Sequence, residues 1–139
     1  MKLKLITLPS VIACLLPFQA LAQTPVPLEP SLLQWTWSVV EFPGKSPDSA
    51  VPTIRIDDEH ETLTGKTACN TDWWADVELD FPKLKISNVQ ATAYECADAR
   101  EVSKFLNILE EADRFRTAPD GLEIVRRDGS RLLLMVTGG

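Results

Sequence analysis

Residues 114–136 read RFRTAPDGLEIVRRDGSRLLLMV. Pro119-Asp120-Gly121 and Asp128-Gly129 are turn formers between three short apolar runs, a pattern typical of tight hairpins. The predicted strands cover residues 114–118, 122–127 and 131–136. The run from Leu132 to Val136 is almost continuously apolar, which predicts a strand covered on both faces. This stretch therefore predicts a three-stranded antiparallel meander.

One amphipathic helix is predicted just before the meander. Its apolar residues share one face at helical spacing and are Val102, Phe105, Leu106 and Leu109. Asp98 as N-cap and Glu101 three residues later match a capping box, which places the start of the helix near Asp98.

The segment before the helix predicts further short strands. Alternating residues mark them at Trp35–Phe42, Thr53–Asp57, Leu63–Gly65 and around Leu84, Ile86 and Val89. Trp35, Trp37 and Val39 share one face of the first strand, and both tryptophans are predicted to lie in the core. Residues 69–74 combine turn formers with large aromatics and predict an irregular segment. Strands, one helix and strands again, with tight turns, indicate an antiparallel α+β fold.

Residues 1–22 have the three parts of a cleavable secretory signal peptide. Lys2 and Lys4 precede an apolar stretch that ends at Phe18, and Ala20-Leu21-Ala22 has the small-x-small cleavage pattern. This predicts a periplasmic or secreted protein. An alternative is that Val11-Ile12-Ala13-Cys14 acts as a lipobox and makes an outer-membrane lipoprotein through Cys14. The short apolar run before Cys14 favours simple cleavage.

Cleavage after Ala22 would remove 22 of 139 residues and two lysines. It would leave 117 residues and shift the formal net charge from −6 to −8. Residues 23–32 contain three prolines and predict an extended tether ahead of a single domain at 33–139. An acidic surface disfavours binding to nucleic acid and to anionic lipid headgroups, and no membrane insertion is expected after cleavage. The oligomeric state stays open.

Two cysteines, Cys69 and Cys96, remain after this cleavage. Export leads to an oxidising compartment, where paired thiols normally form disulfides. The two are not a C-x-x-C motif, so a structural bridge is favoured over a reactive thiol pair. A bridge closing a loop of roughly 28 residues contributes on the order of 3–4 kcal/mol.

Three short motifs carry a family resemblance. Trp37 lies in a first strand that ends in Phe-Pro-Gly-Lys, residues 65–70 read GKTACN, and residues 92–96 read TAYEC. Together with the order of elements they resemble the META domain, also called the HslJ-like domain, of bacterial envelope proteins. The resemblance covers residues 33–136 and rests on the motif residues Trp37, Gly65, Asn70 and Thr92.

The resemblance implies a strongly coiled, barrel-like antiparallel sheet packed around one α-helix, a fold that is mainly β. It also implies a general link to heat shock, envelope stress and antibiotic tolerance, without catalytic residues or a cofactor. Ala68, Tyr94 and Glu95 depart from the usual motif residues and indicate a divergent member. Residues 72–76 match poorly the β-hairpin that follows the Cys-Asn motif in the family.

Candidate sites for chemistry are few. Residues 57–61 read DDEHE and could ligate a metal, but consecutive residues diverge along a chain and lack zinc or EF-hand spacing, which favours a solvated turn. His60 is the single histidine, so a nucleophile–base pair has few components. Asn70 is predicted to bond its side chain to nearby backbone in a turn. No catalytic residue, metal site or cofactor is predicted.

Trp73 and Trp74 are the candidate partner surface. Adjacent residues of an extended chain point to opposite sides, so one of the two is expected in the core and the other on the surface. Exposed tryptophan is frequent at binding hot spots.

The favoured function is a non-enzymatic exported domain that binds an envelope protein partner. One alternative is a carrier of a small apolar ligand or lipid, because barrel-like sheets can enclose a cavity. Another is an inhibitor of a secreted hydrolase that presents the loop between Cys69 and Cys96. An enzyme is the least favoured reading.

Overall fold

The computed structural model describes residues 27–137. The predicted signal peptide and the alternative lipidation site at Cys14 lie outside these residues. The strands within this range are β1 (Thr36–Glu41), β2 (Thr53–Asp57), β3 (Thr62–Lys66), β4 (Asp72–Asp80), β5 (Lys83–Ala91), β6 (Arg114–Ala118), β7 (Gly121–Val125) and β8 (Arg131–Thr137). The helix α1 covers Ala99–Ile108, and two 3₁₀ helices cover Pro30–Gln34 and Leu109–Glu111.

Each strand pairs antiparallel with the next one along the chain, and β8 pairs with β1 to close the ring. Consecutive strands can neighbour each other in this way because short turns join most of them. The contact between β5 and β6 is brief, with Lys83 opposite Arg114, because α1 and a 3₁₀ helix intervene in the chain. The prediction of a mainly β, coiled antiparallel sheet with one helix is confirmed.

The predicted meander is confirmed as β6, β7 and β8. Leu132 to Met135 are all buried, as expected for a strand covered on both faces. Glu123 on β7 is also buried, at 4% exposure, and accepts hydrogen bonds from Nε of Arg116 and Nε of Arg131. Burial raises the pKa of Glu123, but the two arginines outweigh this effect and lower the pKa overall. The ion pairs therefore hold a buried carboxylate in its charged form.

The long hairpin of β4 and β5 corrects the sequence analysis. Residues 69–74 are not irregular throughout, because β4 begins at Asp72. Its side chains alternate between buried and exposed from Asp72 to Glu78, which is the period of a half-buried strand. The bulky pair Trp73-Trp74 obscured this alternation in the sequence. The hairpin is present although residues 72–76 match the family's hairpin segment poorly.

The inside of the ring is filled by side chains. The largest fully buried side chains of the core are Trp37, Trp73, Phe105, Phe115, Ile54, Leu63, Ile86, Leu109, Leu122, Ile124, Leu132 and Leu133. The ring of Phe105 on α1 lies 5.4 Å from that of Phe42 and 5.5 Å from that of Trp73, measured between centroids. The predicted apolar stripe of the helix thus packs into the core.

The N-terminal edge of the domain differs from the prediction in two respects. The 3₁₀ helix Pro30–Gln34 buries Leu32 and Leu33, so packing begins before the predicted boundary at residue 33. Trp37 donates its indole N–H to the carbonyl of Leu32 at 2.9 Å. Trp35 was predicted to be core but is 55% exposed, because it precedes β1 and is not held by the strand alternation.

The start of α1 also differs from the prediction. Asp98 is the N-cap residue but makes no side-chain capping hydrogen bond. Its carboxylate accepts instead from the N–H of Ala50 at 3.4 Å, and the carboxylate of Glu101 accepts from the N–H of Ser46 at 2.9 Å. Both carboxylates therefore bind the loop between β1 and β2 and attach it to the start of α1, and we call this pair of contacts the loop clasp. The predicted capping box is wrong.

Neutralising Glu101 should weaken the loop clasp, and the resulting loss of stability should depend on pH. The nearby Ser49 hydroxyl and the Ser46 N–H lower the pKa of Glu101 below its ordinary value of 4.5, against the opposing effect of burial. A carboxyl whose pKa is lowered on folding stabilises the protein above its unfolded pKa and loses that contribution as the pH falls through the folded pKa. We expect Glu101→Gln to cost about 1 kcal/mol at pH 7 and less at pH 3, measured by urea unfolding. Glu95→Gln, at an exposed position before the helix, is the matched control, and equal losses for both variants at pH 7 would contradict the loop clasp.

Candidate functional site

The disulfide and the turn beside it anchor one end of β4. Cys69 is bonded to Cys96, with Cα atoms 5.6 Å apart, and this joins the loop before β4 to the segment after β5. The turn itself is held by Thr67, whose Oγ1 accepts from the N–H groups of Cys69 and Thr71. Asn70 contributes a positive φ of 60° and a main-chain hydrogen bond to Thr67. Among the described residues its side chain makes no hydrogen bond, so the predicted side-chain role is wrong.

Gly65 on β3 allows a side chain of β4 to reach the backbone of β2. A Cβ at this position would lie 1.8 Å from the carbonyl oxygen of Thr53 and 2.6 Å from Nε1 of Trp73. The absent side chain lets the indole of Trp73 cross β3 and donate to the Thr53 carbonyl at 3.0 Å. The N–H of Lys66 accordingly bonds the hydroxyl of Thr53, at 2.9 Å. Trp73 is thereby locked inside the ring, with 1% exposure.

Locking Trp73 inward places Trp74 outward. Trp74 is 40% exposed on the outer face of β4, so the prediction that one tryptophan is buried and the other exposed is confirmed. Pairing between strands puts Trp74 in a single row across the sheet. The row contains Thr36, Arg55, Thr64, Trp74 and Gln90, all exposed.

A groove of about 480 Å³ lies on this outer face, and we call it the outer groove. Its lining residues are Thr36, Thr53, Arg55, Thr64, Gly65, Lys66, Asp72, Trp73 and Trp74. Trp74 on β4 and Arg55 on β2 stand on either side of β3, which contributes the small residues Thr64 and Gly65 between them. Two strand spacings separate these walls, about 10 Å. The outer groove thus combines one large apolar surface with a few polar groups, as ligand sites commonly do.

A second, more polar cavity of about 780 Å³ adjoins the outer groove. Arg55 and Thr64 line both, and the second extends to the 3₁₀ helix Pro30–Gln34 and to Asp57 and Asp58. The position of Arg55 between two cavities was not predicted from the sequence. The one indication in the sequence is that Arg55 falls on the outward-facing side of the alternating residues of β2.

The side-chain hydrogen bonds and the ion pair of the acidic turn at residues 57–61 are local, and its main chain accepts a hydrogen bond from the N–H of Val77 at the Glu61 carbonyl, at 2.9 Å. Nδ1 of His60 lies 2.7 Å from a carboxylate oxygen of Asp57, and the pair is exposed. The hydrogen bond with His60 lowers the pKa of Asp57. Within residues 27–137 no three acidic, histidine or cysteine side chains converge as metal ligands.

Lys45 and Ser49 are residue types that can form a nucleophile–base pair. Nζ of Lys45 lies 2.9 Å from Oγ of Ser49, and it also reaches the carbonyl oxygens of Ser46 and Ser49 at 2.9 and 3.1 Å. A lysine that donates three hydrogen bonds uses all three protons of its charged form. The contact therefore holds the loop between β1 and β2.

A family model described as the META domain matches residues 30–138. The chain belongs to the META domain family. Three of its motif residues have structural roles in this fold. Trp37 and Gly65 shape the core as described above, and the N–H of Thr92 donates to the carbonyl of Asp72 at 2.9 Å, which extends the pairing of β4 with β5.

A solved structure has a fold similar to that of this chain. The NMR structure of a protein from Burkholderia xenovorans is similar with a TM-score of 0.56 at 17% identity, over 83% of this chain and 92% of that chain. At this identity the likeness concerns the fold alone. No curated protein matches the chain. Among residues 27–137 no helix is long and apolar enough to cross a membrane.

Proposed function

We propose that this META domain is a non-enzymatic, exported binding module that holds an envelope protein partner at the outer groove, in a role related to envelope stress. The observation that carries the proposal is Trp74, a tryptophan that is 40% exposed and lines the outer groove. Large aromatic side chains supply much of the energy of protein–protein interfaces, because they bury a wide apolar area at low entropic cost.

The surroundings of Trp74 are held by a hydrogen bond, an aromatic contact and the disulfide, an arrangement that favours binding. Its neighbour Trp73 is held by the Thr53 carbonyl and packs against Phe105. The Cys69–Cys96 bridge ties the turn that leads into β4. A surface that is already ordered loses little conformational entropy when a partner binds.

The filled interior supports a surface-binding role over a carrier role. Trp37, Phe105 and Phe115 occupy the space that a lipid would need inside the ring. The outer groove lies on the outer face of β2, β3 and β4, and the second cavity lies between the 3₁₀ helix Pro30–Gln34 and the strands β2 and β3.

Replacing Trp74 should weaken partner binding strongly without unfolding the domain. We expect Trp74→Ser to weaken binding at least tenfold, because the groove loses its main apolar wall, and to change the free energy of unfolding by less than about 1 kcal/mol, since the side chain is partly exposed. The immobilised domain would be exposed to periplasmic and secreted extracts of its host. Retained proteins would be identified by mass spectrometry and their affinities measured by calorimetry.

The matched control is Trp35→Ser, which removes another exposed tryptophan that does not line the outer groove. A specific partner should be retained by the parent domain and by Trp35→Ser but not by Trp74→Ser. Equal retention by all three would refute the proposal, and a lipid that copurifies with the domain would favour the carrier alternative.

A further inference from the structure

Arg55 is an unpaired cation in the outer groove. Among residues 27–137 its guanidinium forms neither a hydrogen bond nor an ion pair. The other cation of the groove, Lys66, is engaged by Asp72, with Nζ and Oδ1 2.6 Å apart. Arg55 therefore keeps all five N–H donors available, in the planar geometry that matches a carboxylate.

We propose that the outer groove binds an extended acidic peptide segment of a partner protein. An Asp or Glu side chain of the segment would pair with Arg55, and a nearby apolar side chain would pack on Trp74. This inference rests on the proposed function, which it deepens by naming the chemistry of the partner.

The dimensions of the groove set the spacing of the two peptide residues. Arg55 and Trp74 lie in one row, separated by Thr64, and the two strand spacings between them amount to about 10 Å. In an extended chain, residues i and i+2 point to the same side and lie about 7 Å apart. The lengths of the arginine and carboxylate side chains span the remaining distance. The recognised pattern is thus an acidic residue and an apolar residue two positions apart.

The charges around the groove favour an anionic segment over a basic one. Its lining contains two cations, Arg55 and Lys66, and one carboxylate, Asp72, which Lys66 already neutralises. The carboxylates Asp57 and Asp58 lie in the adjoining cavity and repel an anionic chain from that direction. Because Arg55 lines both cavities, these carboxylates reduce the positive potential at Arg55, but neither of these two described residues forms an ion pair with it. The rest of the segment is therefore directed away from Asp57 and Asp58, toward Trp74.

A displayed peptide library tests this inference. Random dodecamers would be displayed within a coat protein, so that carboxylates come from Asp and Glu side chains and not from a free C-terminus, and selected on the exported form of the chain. We expect enrichment of Asp or Glu two positions from a large apolar residue. For a synthetic peptide of the enriched sequence, Arg55→Gln should raise the dissociation constant at least fivefold. Arg127→Gln should leave it unchanged, since Arg127 is an exposed arginine in the turn between β7 and β8.

The outcomes separate this inference from the proposed function. Enriched peptides that depend on Trp74 and on Arg55 support both. Peptides that depend on Trp74 but are neutral or basic, and bind equally well to Arg55→Gln, overturn the acidic-segment proposal and leave the binding module standing. Absence of any enriched peptide that depends on Trp74 overturns the acidic-segment proposal. The extract experiment then decides separately whether a partner binds at Trp74.

Discussion

Gly65→Ala is expected to destabilise the domain by roughly 3–5 kcal/mol, through overpacking and the loss of a partly buried hydrogen bond. The new Cβ would meet the carbonyl oxygen of Thr53 at 1.8 Å and the indole nitrogen of Trp73 at 2.6 Å. The carbonyl belongs to the backbone of β2, so the clash cannot be relieved by a side-chain rotation. Either β2 and β3 separate or Trp73 gives up its hydrogen bond. Urea unfolding followed by circular dichroism measures the loss.

The control for this prediction is Thr64→Ala on the same strand. Thr64 is exposed and lies next to Gly65, so its replacement should cost less than about 1 kcal/mol. Similar midpoints for Gly65→Ala and the parent domain would show that the sheet adapts to the Cβ, and the packing explanation for this motif glycine would then fail.

Removing the disulfide is expected to cost about 3–4 kcal/mol. The bond joins residues 27 positions apart in the sequence, so the unfolded chain gains much conformational freedom once Cys69 and Cys96 are replaced by serine. We also expect weaker partner binding, because the bridge orders the turn that precedes Trp74. Guanidinium unfolding of the double variant, followed by fluorescence, measures the change in stability.

Reductant provides the internal control. It should lower the unfolding midpoint of the parent domain to near that of the double variant and should leave the double variant unchanged. If the reduced parent domain and the double variant both unfold at the midpoint of the oxidised domain, the bridge makes no contribution to stability.

Much of the fold could be predicted because its signals are local. Turn formers at Pro119–Gly121 and Asp128–Gly129 separate the strands of the meander, and the helical spacing of Val102, Phe105 and Leu109 identifies the one helix. The strand β4 escaped prediction because large aromatic side chains at Trp73 and Trp74 masked its alternation. The prediction of a capping box was wrong for another reason. Asp98 and Glu101 accept hydrogen bonds from main-chain N–H groups of a loop that is distant in sequence but close in space.

The candidate site could be predicted only in part. An inward and an outward tryptophan at Trp73 and Trp74 follow from the geometry of any extended chain. Which of the two is inward depends on Gly65, which lies on a neighbouring strand and makes room for the indole of Trp73. Trp35 shows the same limit, since its exposure depends on where β1 begins.

The sequence by itself indicated the family through the resemblance of its motifs, and the antiparallel class and the helix through the spacing of residues along the chain. It indicated the bridged cysteines because two cysteines remain in a chain predicted to be exported. Only the tertiary structure decided that Arg55, Thr64 and Trp74 form one row. That row depends on the register between β2, β3 and β4, and a shift of one residue in register would turn a side chain to the opposite face. Register is decided by packing across the ring, where Gly65 and Trp73 allow one arrangement of the three strands.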